Sequence, residues 1–298
     1  MSGASNPAGY IDLHCHGGGG FNFSDPNSEN IQKAIDFHKS NGSADLLASL
    51  VSETILDLKS QILRLIPFCD NGSIAGIHLE GPYLAKARCG AHNPDLLKAP
   101  NVEEVKELLE IANGHIKMIT IAPEIPGAVD AIKYLSENKV IAAIGHSNGT
   151  FDDALMAVDA GASLVTHFSN GMSKLKDGEK TFATALLYKS KIPLEIIVDG
   201  HHVSRADLKT IFEVAQDRII LVTDALAAAG QHDGNYRIGS LDVVVEAGIA
   251  RLVSNGALAG STLTMNLAVE NARKFGLSDQ AIVNAAATLP KKLLSYAG

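Results

Sequence analysis

The feature that most constrains the fold is a regular alternation of short apolar segments with longer amphipathic ones, repeated eight times along the chain. The short segments are continuous runs rich in Val, Ile and Leu, which is typical of strands buried on both faces. Strict alternation of strands and helices predicts a parallel sheet. The predicted strands are 11–13, 46–51, 74–79, 116–121, 140–144, 163–166, 194–198 and 219–222.

Eight strand-helix units predict a (β/α)8 barrel of the TIM type, because such barrels take about 250 residues and this chain has 298. A doubly wound open sheet shows the same alternation and is the alternative that periodicity leaves open. Residues 243–246 and 249–253 predict a β-hairpin in the loop after the eighth strand, over the mouth of the barrel. No linker or repeat divides the sequence, so we expect one domain over residues 1–298.

Several predicted helices begin after a residue whose side chain can cap them. The predicted N-caps are Ser52, Thr150 and Ser204. A last helix over 278–296 is expected to break or bend near Pro290, because proline cannot donate the helical hydrogen bond. The other predicted helices are 31–38, 53–66, 102–113, 128–138, 151–160, 182–188, 205–215 and 262–275.

Composition and charge limit what the protein can bind. Hydrophobic residues make up 46% of the chain and charged residues 19%, which is a globular composition. The net charge of −8 argues against nucleic acid as a partner, since phosphate backbones need a basic face. No apolar run reaches the roughly 20 residues that span a bilayer, so we expect no membrane association.

The cysteines and the N-terminal segment indicate a compartment. The three cysteines show no metal-binding or redox spacing, which predicts free thiols in a reducing environment. The first nine residues lack the basic and apolar regions of a signal peptide. We therefore expect a cytoplasmic protein.

Two histidines stand one residue apart where the first strand ends. Side chains alternate along a strand, so His14 and His16 point to the same side, and Cys15 between them points away. Four glycines follow and let the chain turn sharply. Two neighbouring imidazoles can bind one divalent metal ion.

Further polar residues follow the later strands: Glu80, His146, His167 and Asp224. In a barrel, the carboxyl ends of all strands converge on one site. Nitrogen and oxygen ligands of this kind hold zinc, iron or manganese. The spacing suggests one or two divalent ions, the first bound by Glu80, His146 and His167 and the second by the two histidines of the first strand, with Glu80 able to bridge them.

Asp224 is not needed to complete either ligand set. A bound cation lowers the pKa of water towards neutrality, so Asp224 is the expected general base. It can later return the proton to a leaving amine. The predicted chemistry is therefore metal-assisted hydrolysis of an amide or a similar bond.

Seven short motifs occur in the order found in N-acetylglucosamine-6-phosphate deacetylases of the amidohydrolase superfamily, and the chain resembles this family from about Gly9 to Pro290. The motifs are Leu79-Glu80-Gly81-Pro82, Gly90-Ala91-His92-Asn93-Pro94, Gly145-His146-Ser147-Asn148, Thr166-His167-Phe168-Ser169-Asn170-Gly171-Met172, Asp199-Gly200-His201-His202, Val222-Thr223-Asp224-Ala225 and Leu258-Ala259-Gly260-Ser261.

The resemblance implies an activity and a role for each motif residue. It implies deacetylation of a small amino-sugar phosphate by a homodimeric enzyme, with Asp224 as catalytic acid and base. The implied ligands are Glu80, His146 and His167 for the principal metal, and His14 and His16 for the second metal of those members that have one. The implied substrate contacts are His92 and His202, with Asn170 and Gly171 on the phosphate side.

The sequence departs from the family pattern in two places. Family members carry a small β-sandwich built from segments on both sides of the barrel, and this sequence apparently lacks it. The family places a phosphate-binding arginine in the loop after the Asn170 motif, whereas this loop offers Lys174, Lys176 and Lys180. Two alternatives therefore stay open: a deacylase for a different N-acyl sugar, and a sugar-phosphate-binding protein that has lost catalysis.

Overall fold

Eight parallel strands form one sheet, in which each strand pairs with the next along the chain. The computed structural model describes residues 9–176 and 178–297. Sequential pairing excludes the doubly wound alternative, whose strand order reverses. The strands are β1 Tyr10–Cys15, β2 Ser43–Val51, β3 Gly76–Glu80, β4 Ile116–Ile121, β5 Ile141–Ile144, β6 Leu164–Val165, β7 Leu194–Ile197 and β8 Ile219–Val222.

The barrel closes where β1 meets the end of β8. The Asp224 N–H donates to the His14 carbonyl at 2.8 Å, and the His16 N–H donates to the Ala225 carbonyl at 2.8 Å. Below them, the buried Asp12 carboxylate accepts the Thr223 N–H at 3.2 Å and its hydroxyl at 2.6 Å. Burial raises the pKa of Asp12 to about 6. The predicted barrel is therefore confirmed, and its seam lies beside the predicted metal ligands.

The helices pack around the barrel and mostly agree with the predicted ones. Thr150 and Ser204 are N-caps as predicted. The prediction for Ser52 is wrong, because Thr54 caps the second helix instead. The helices are α1 Ser28–Ser40, α2 Ile55–Asp70, α3 Val102–Ala112, α4 Ala128–Glu137, α5 Phe151–Asp159, α6 Phe182–Tyr188, α7 Arg205–Ala215, α8 Met265–Lys274, α9 Asp279–Val283 and α10 Leu289–Tyr296.

The predicted C-terminal helix is interrupted just ahead of Pro290. A π-helical turn, Asn284–Thr288, separates α9 from α10, and Pro290 lies in the first turn of α10. Proline is tolerated there because first-turn N–H groups have no helical acceptor. Across the described residues, no helix is both long and apolar enough to cross a membrane.

A small antiparallel sheet covers part of the barrel mouth. It comprises β9 Gly234–Ile238, β10 Leu241–Glu246 and β11 Ile249–Leu252. The predicted hairpin is β10 with β11, whereas β9 was not predicted, because its sequence mixes polar residues with a glycine. The sheet has its own apolar cluster. This cluster also includes Val51 from the end of β2 and Leu226 from the segment after β8.

Candidate metal and catalytic site

Five histidines surround the Glu80 carboxylate at the carboxyl end of β3. All six side chains are buried, and they come from five different places along the chain. The strands that precede His146 and His167 are direct neighbours, whereas closure of the barrel brings β1 and the end of β8 together. The distance from the histidine Nε2 atom to the nearer Glu80 oxygen is 3.5 Å for His14, 3.2 Å for His16, 3.2 Å for His92, 3.1 Å for His146 and 2.9 Å for His167.

Asp224 faces the same cluster from the end of β8. Its Oδ1 atom lies 3.3 Å from His16 Nε2 and 3.5 Å from His14 Nε2. Asp224, His146 and His167 have positive φ angles of 51°, 46° and 25°. Such backbone costs about 1–3 kcal/mol for each residue and clusters at active sites. Three of these strained positions therefore coincide with predicted site residues.

The cluster strongly favours positive charge. Burial alone would raise the pKa of Glu80, but His14 and His92 hold it well below its usual range. Burial likewise opposes the charged form of Asp224, yet His14 and His16 lower its pKa to about 2. In return, and against the effect of burial, Glu80 and Asp224 raise the pKa of His14 well above its ordinary value. Two buried carboxylates thus demand protons or cations beside them.

Hydrogen bonds on the far side of each ring decide which histidines can be ligands. His14 Nδ1 lies 3.1 Å from the Glu195 carboxylate, and His146 Nδ1 lies 2.8 Å from the Arg88 carbonyl. These acceptors require Nδ1–H, so the Nε2 lone pairs of neutral His14 and His146 point into the cluster.

His92 meets Ser52 through its Nδ1, which lies 3.3 Å from the Ser52 backbone nitrogen and 2.9 Å from its hydroxyl oxygen. When Nδ1 accepts the backbone N–H, Nε2 carries a proton and donates it to Glu80, 3.2 Å away. His92 also lies close enough to Glu80 and His146 for the three to hold a metal ion, whereas the resemblance implied a substrate contact.

The remaining donors fit a divalent cation. His14 Nε2 and His16 Nε2 lie 3.2 Å apart, and His146 Nε2 and His167 Nε2 lie 3.0 Å apart. Two imidazoles at about 2.0–2.1 Å from a tetrahedral ion are separated by about 3.3 Å. A metal ion between the two nitrogens of each pair would fit this separation, and the nitrogen and carboxylate donor set suits zinc, iron or manganese.

A cavity above the cluster brings the predicted substrate residues together. His202 donates from Nδ1 to Asp199 at 2.6 Å, which leaves its Nε2 for a ligand, while neighbouring His201 is exposed. Gly171 has a φ of 60°, and a Cβ there would lie 3.1 Å from His146 Nδ1. The cavity lining includes His16, Glu80, His92, His146, His167, Asn170, Gly171, His202 and Asp224, with Ile238 and Leu258 from the mouth.

The lysines of the loop after Asn170 do not line this cavity. Lys174 donates to the Ser169 carbonyl at 3.3 Å, and Lys176 pairs with Glu179 at 3.3 Å. Lys180 lies 5.7 Å from the centre of the Phe151 ring. One residue of this loop, at position 177, lies outside the described residues. Each lysine thus has a partner on its own chain.

Sequence reasoning missed three polar residues around the site. Ser52 orients His92, Glu195 contacts His14, and His78 lies buried beneath them. A signal existed for Glu195, because it is the single charged residue in an apolar strand that is buried on both faces. The signal for His78 was its place two residues before Glu80, on the same face of β3.

Comparison with known proteins identifies the family. No family model matches the chain. It is 33% identical to an N-acetylgalactosamine-6-phosphate deacetylase of Escherichia coli O157:H7, over 97% of this chain and 78% of that protein. It is 35% identical to an N-acetylglucosamine-6-phosphate deacetylase of Lysinibacillus sphaericus, over 90% of this chain and 70% of that protein.

A solved structure agrees with these relatives. It is a mutant of the N-acetyl-D-glucosamine-6-phosphate deacetylase from Mycobacterium smegmatis in complex with N-acetyl-D-glucosamine-6-phosphate. That structure has a TM-score of 0.93 and 40% sequence identity, and the match covers 96% of this chain and 77% of that chain.

The chain belongs to the N-acetylglucosamine-6-phosphate deacetylase family. The resemblance carried by the seven motifs is therefore confirmed, and so is the fold that it implied. One of these two relatives is named for N-acetylgalactosamine-6-phosphate and the other for N-acetylglucosamine-6-phosphate. The family alone thus leaves the configuration of the sugar to be decided by experiment.

Proposed function

We propose that this protein hydrolyses the acetamide of N-acetylglucosamine-6-phosphate to glucosamine-6-phosphate and acetate. The observation that carries the proposal is the histidine cluster around Glu80, with Asp224 facing it within the fold of this family. A protein that only bound a sugar phosphate would not need two buried carboxylates whose charge must be neutralised.

The proposed metal centre uses both oxygens of Glu80. Oε1 faces His146 at 3.1 Å and His167 at 2.9 Å, and these three residues would hold the principal ion. Oε2 faces His16 at 3.2 Å, so Glu80 would bridge to a second ion held by His14 and His16. A divalent cation, either zinc, iron or manganese, would polarise the amide carbonyl and lower the pKa of water.

Asp224 moves the proton in the proposed reaction. Its Oδ1 faces the cluster, 3.3 Å from His16 Nε2, so the carboxylate would accept a proton from the attacking water. The water oxygen bonds to the carbonyl carbon, and the C–N bond then breaks. Asp224 returns its proton to the departing nitrogen, which leaves acetate and the free amine.

The cavity residues would orient the sugar. His92 presents an Nε2 proton beside Glu80, and His202 presents an Nε2 whose ring is held by Asp199. Asn170 and Gly171 lie at the cavity edge and would face the phosphate. A lysine of the loop over residues 174–180 would supply the cationic contact only by leaving its present partner, and it would offer a point charge in place of the two-pronged guanidinium.

Domain organisation, cellular compartment and oligomeric state belong to the same proposal. It treats residues 1–298 as one catalytic domain, which the single closed sheet supports. It places the enzyme in the cytoplasm, which the three free cysteines support. It makes the enzyme a homodimer, supported by the exposed Leu56 and Leu63, which share one face of α2.

The first experiment measures acetate release by zinc-loaded protein from three substrates at equal concentration. These are N-acetylglucosamine-6-phosphate, N-acetylgalactosamine-6-phosphate and N-acetylglucosamine. We expect the first to react fastest. Faster release from the galactosamine compound would transfer the assignment to the activity named for the Escherichia coli relative. Equal release with and without phosphate would overturn the phosphate contact, and no release from metal-loaded protein would overturn the hydrolase.

A further inference from the structure

Glu195 is a buried acid that takes no part in the proposed reaction. It lies in β7 with no exposed surface, between the apolar Leu194 and Ile196, and it does not line the cavity. Taking a carboxylate out of water costs several kcal/mol unless positive charge or hydrogen bonds compensate. Its Oε1 has no hydrogen-bond partner among the described residues. A carboxylate in this position therefore needs compensating contacts on its other oxygen.

The second oxygen of Glu195 contacts both halves of the proposed metal centre. Oε2 lies 3.1 Å from His14 Nδ1, on the far side of the ring from the Nε2 that would bind metal. The same oxygen accepts the backbone N–H of His167 at 3.1 Å. One carboxylate oxygen therefore joins a ligand from β1 to a ligand from the end of β6.

Each contact has a consequence for metal binding. A neutral imidazole carries its proton on either nitrogen, and only the Nδ1–H form of His14 leaves Nε2 free. An acceptor at Nδ1 selects that form. At His167 the backbone has a φ of 25°, which is strained, and the hydrogen bond from its N–H helps to hold it there. The Nδ1 of His167 has no described partner, so this backbone contact is the one through which Glu195 reaches it.

We propose that Glu195 is a positioning residue that fixes the tautomer of His14 and the backbone of His167, and so couples the two halves of the metal centre. The inference rests on the proposed metal ligands but not on the identity of the substrate. Glu195 would act through the far side of the His14 ring, opposite the Nε2 that would hold the ion. Loss of such a partner behind a ligand typically lowers metal affinity by about 10–100-fold.

Two variants separate the acceptor from the charge. Glu195→Gln is isosteric, and its amide oxygen can accept both N–H groups, so His14 keeps its tautomer without the negative charge. Glu195→Leu removes both acceptors. Ile196→Val, at the next position of β7, is the matched control, because it also changes a fully buried side chain of this strand but contacts no ligand.

The metal-free proteins are titrated with zinc alone by calorimetry, and bound zinc is counted by elemental analysis. We expect the parent and Ile196→Val to agree in affinity and stoichiometry. We expect Glu195→Leu to lose about 10–100-fold in affinity, with the loss in both halves of the centre, and Glu195→Gln to lose less than Glu195→Leu. Circular dichroism checks that each variant is folded, and Glu195→Ala, which also removes both acceptors, replaces Glu195→Leu in every comparison if that variant does not fold.

Cobalt(II) gives a spectroscopic signature of the tautomer. In cobalt-loaded parent protein, the proton on His14 Nδ1 is shifted by the metal and protected from exchange by Glu195. We expect this proton signal to persist in Glu195→Gln and to vanish or exchange quickly in Glu195→Leu. A structural role alone would lower stability and leave this signal in place.

Two results would overturn the inference. Parental zinc affinity and stoichiometry in Glu195→Leu would show that neither contact matters. An equal loss in Glu195→Gln and Glu195→Leu would assign the effect to charge and remove the tautomer from the explanation. Both readouts use metal alone, so a failure to deacetylate the sugar would contradict the proposed function and leave this test intact.

Discussion

Two buried polar clusters lie one above the other inside the same barrel, and they differ in how their charges and hydrogen bonds balance. The lower cluster, here called the floor, consists of Ser49, His78, Thr120 and Thr166. The upper one is the metal centre around Glu80. The rings of His14 and His78 touch edge to face, with centroids 4.6 Å apart, so the two clusters share one environment.

The floor is complete by itself. Ser49 lies 2.9 Å from His78 Nδ1, and Thr120 lies 2.9 Å from His78 Nε2. Thr120 in turn lies 2.8 Å from Thr166. Burial holds the pKa of His78 well below its ordinary value, so the ring is neutral and both nitrogens are paired.

The metal centre is not complete by itself. Its two carboxylates, Glu80 and Asp224, lie among buried histidines, and the Nδ1 atoms of His16 and His167 have no hydrogen-bond partner among the described residues. A satisfied network of neutral groups stabilises a fold, whereas a network with excess acceptors needs a ligand. The difference between the two clusters therefore separates structure from function among residues that are equally buried.

The largest expected effect tests Asp224. In Asp224→Asn the side chain can no longer take a proton, so we expect turnover to fall by about 10²–10⁴-fold. Zinc stoichiometry should stay the same, because the proposed ligands are other residues; loss of one ion would instead place Asp224 with His14 and His16 among the ligands. Acetate release and elemental analysis measure the two quantities. His201→Asn is the control, since His201 is exposed, and parental turnover in Asp224→Asn would contradict the proton transfer.

Removal of metal should lower the stability of the protein through the metal centre around Glu80. A ligand at 100 times its dissociation constant stabilises a protein by about 2.7 kcal/mol. We therefore expect a chelator to lower the melting temperature of the parent and added zinc to restore it. In Glu80→Gln, which removes the bridging carboxylate, zinc should have little effect. If zinc shifts the melting temperature of Glu80→Gln as much as that of the parent, the metal lies elsewhere.

A substitution in the floor should lower the free energy of unfolding without changing metal affinity. Thr120→Val keeps the shape of the side chain but leaves His78 Nε2 without its hydrogen-bond partner. An unpaired buried polar group costs about 1–3 kcal/mol, which urea unfolding of the metal-free protein measures. Zinc affinity should match that of the parent. A lower zinc affinity with unchanged stability would mean that the floor belongs to the metal centre.

A further prediction concerns another buried histidine, His38, whose Nε2 lies 2.9 Å from the Gly17 carbonyl. Burial lowers its pKa to about 4, whereas the unfolded chain has the ordinary value near 6.5. The unfolded state therefore binds the extra proton between pH 6.5 and 4, and stability falls as pH falls through this window. The slope for one proton is about 1.4 kcal/mol per pH unit.

His38→Gln should remove that slope, because its amide can still donate to Gly17 but does not titrate. Urea unfolding of the metal-free proteins at several pH values compares the two curves. The difference in free energy of unfolding between parent and variant should grow as the pH is lowered and level off below about 4. A constant difference would show that His38 is not neutral in the folded protein.

The sequence was most informative where a local pattern decided the structure. The strands β4 and β8 and the helices α6 and α7 begin and end at the predicted residues, because apolar runs and capping residues act over short distances. The predicted site residues all converge on one cavity or lie directly behind it, as His14 does. That followed from the strand ends, since the barrel itself brings them together.

What sequence could not supply was the partner of each polar residue. Ser52 has the local pattern of a helix N-cap, yet it orients His92, which is distant in sequence. Glu195 and His14 are 181 positions apart, and no local pattern relates them. The tautomers of the histidines depend on these distant contacts, and so the division between ligands and donors could be made only in three dimensions.

The seam between β1 and β8 also determines when the centre can form during the synthesis of the chain. Asp12 and Thr223 meet across it although 211 positions separate them. Contacts of such separation form late in folding, because chain entropy opposes them. His14 and Asp224 lie on this seam, so an unclosed chain keeps Asp224 apart from the histidines of β1. The proton acceptor of the proposed reaction therefore joins the cluster only when the barrel closes.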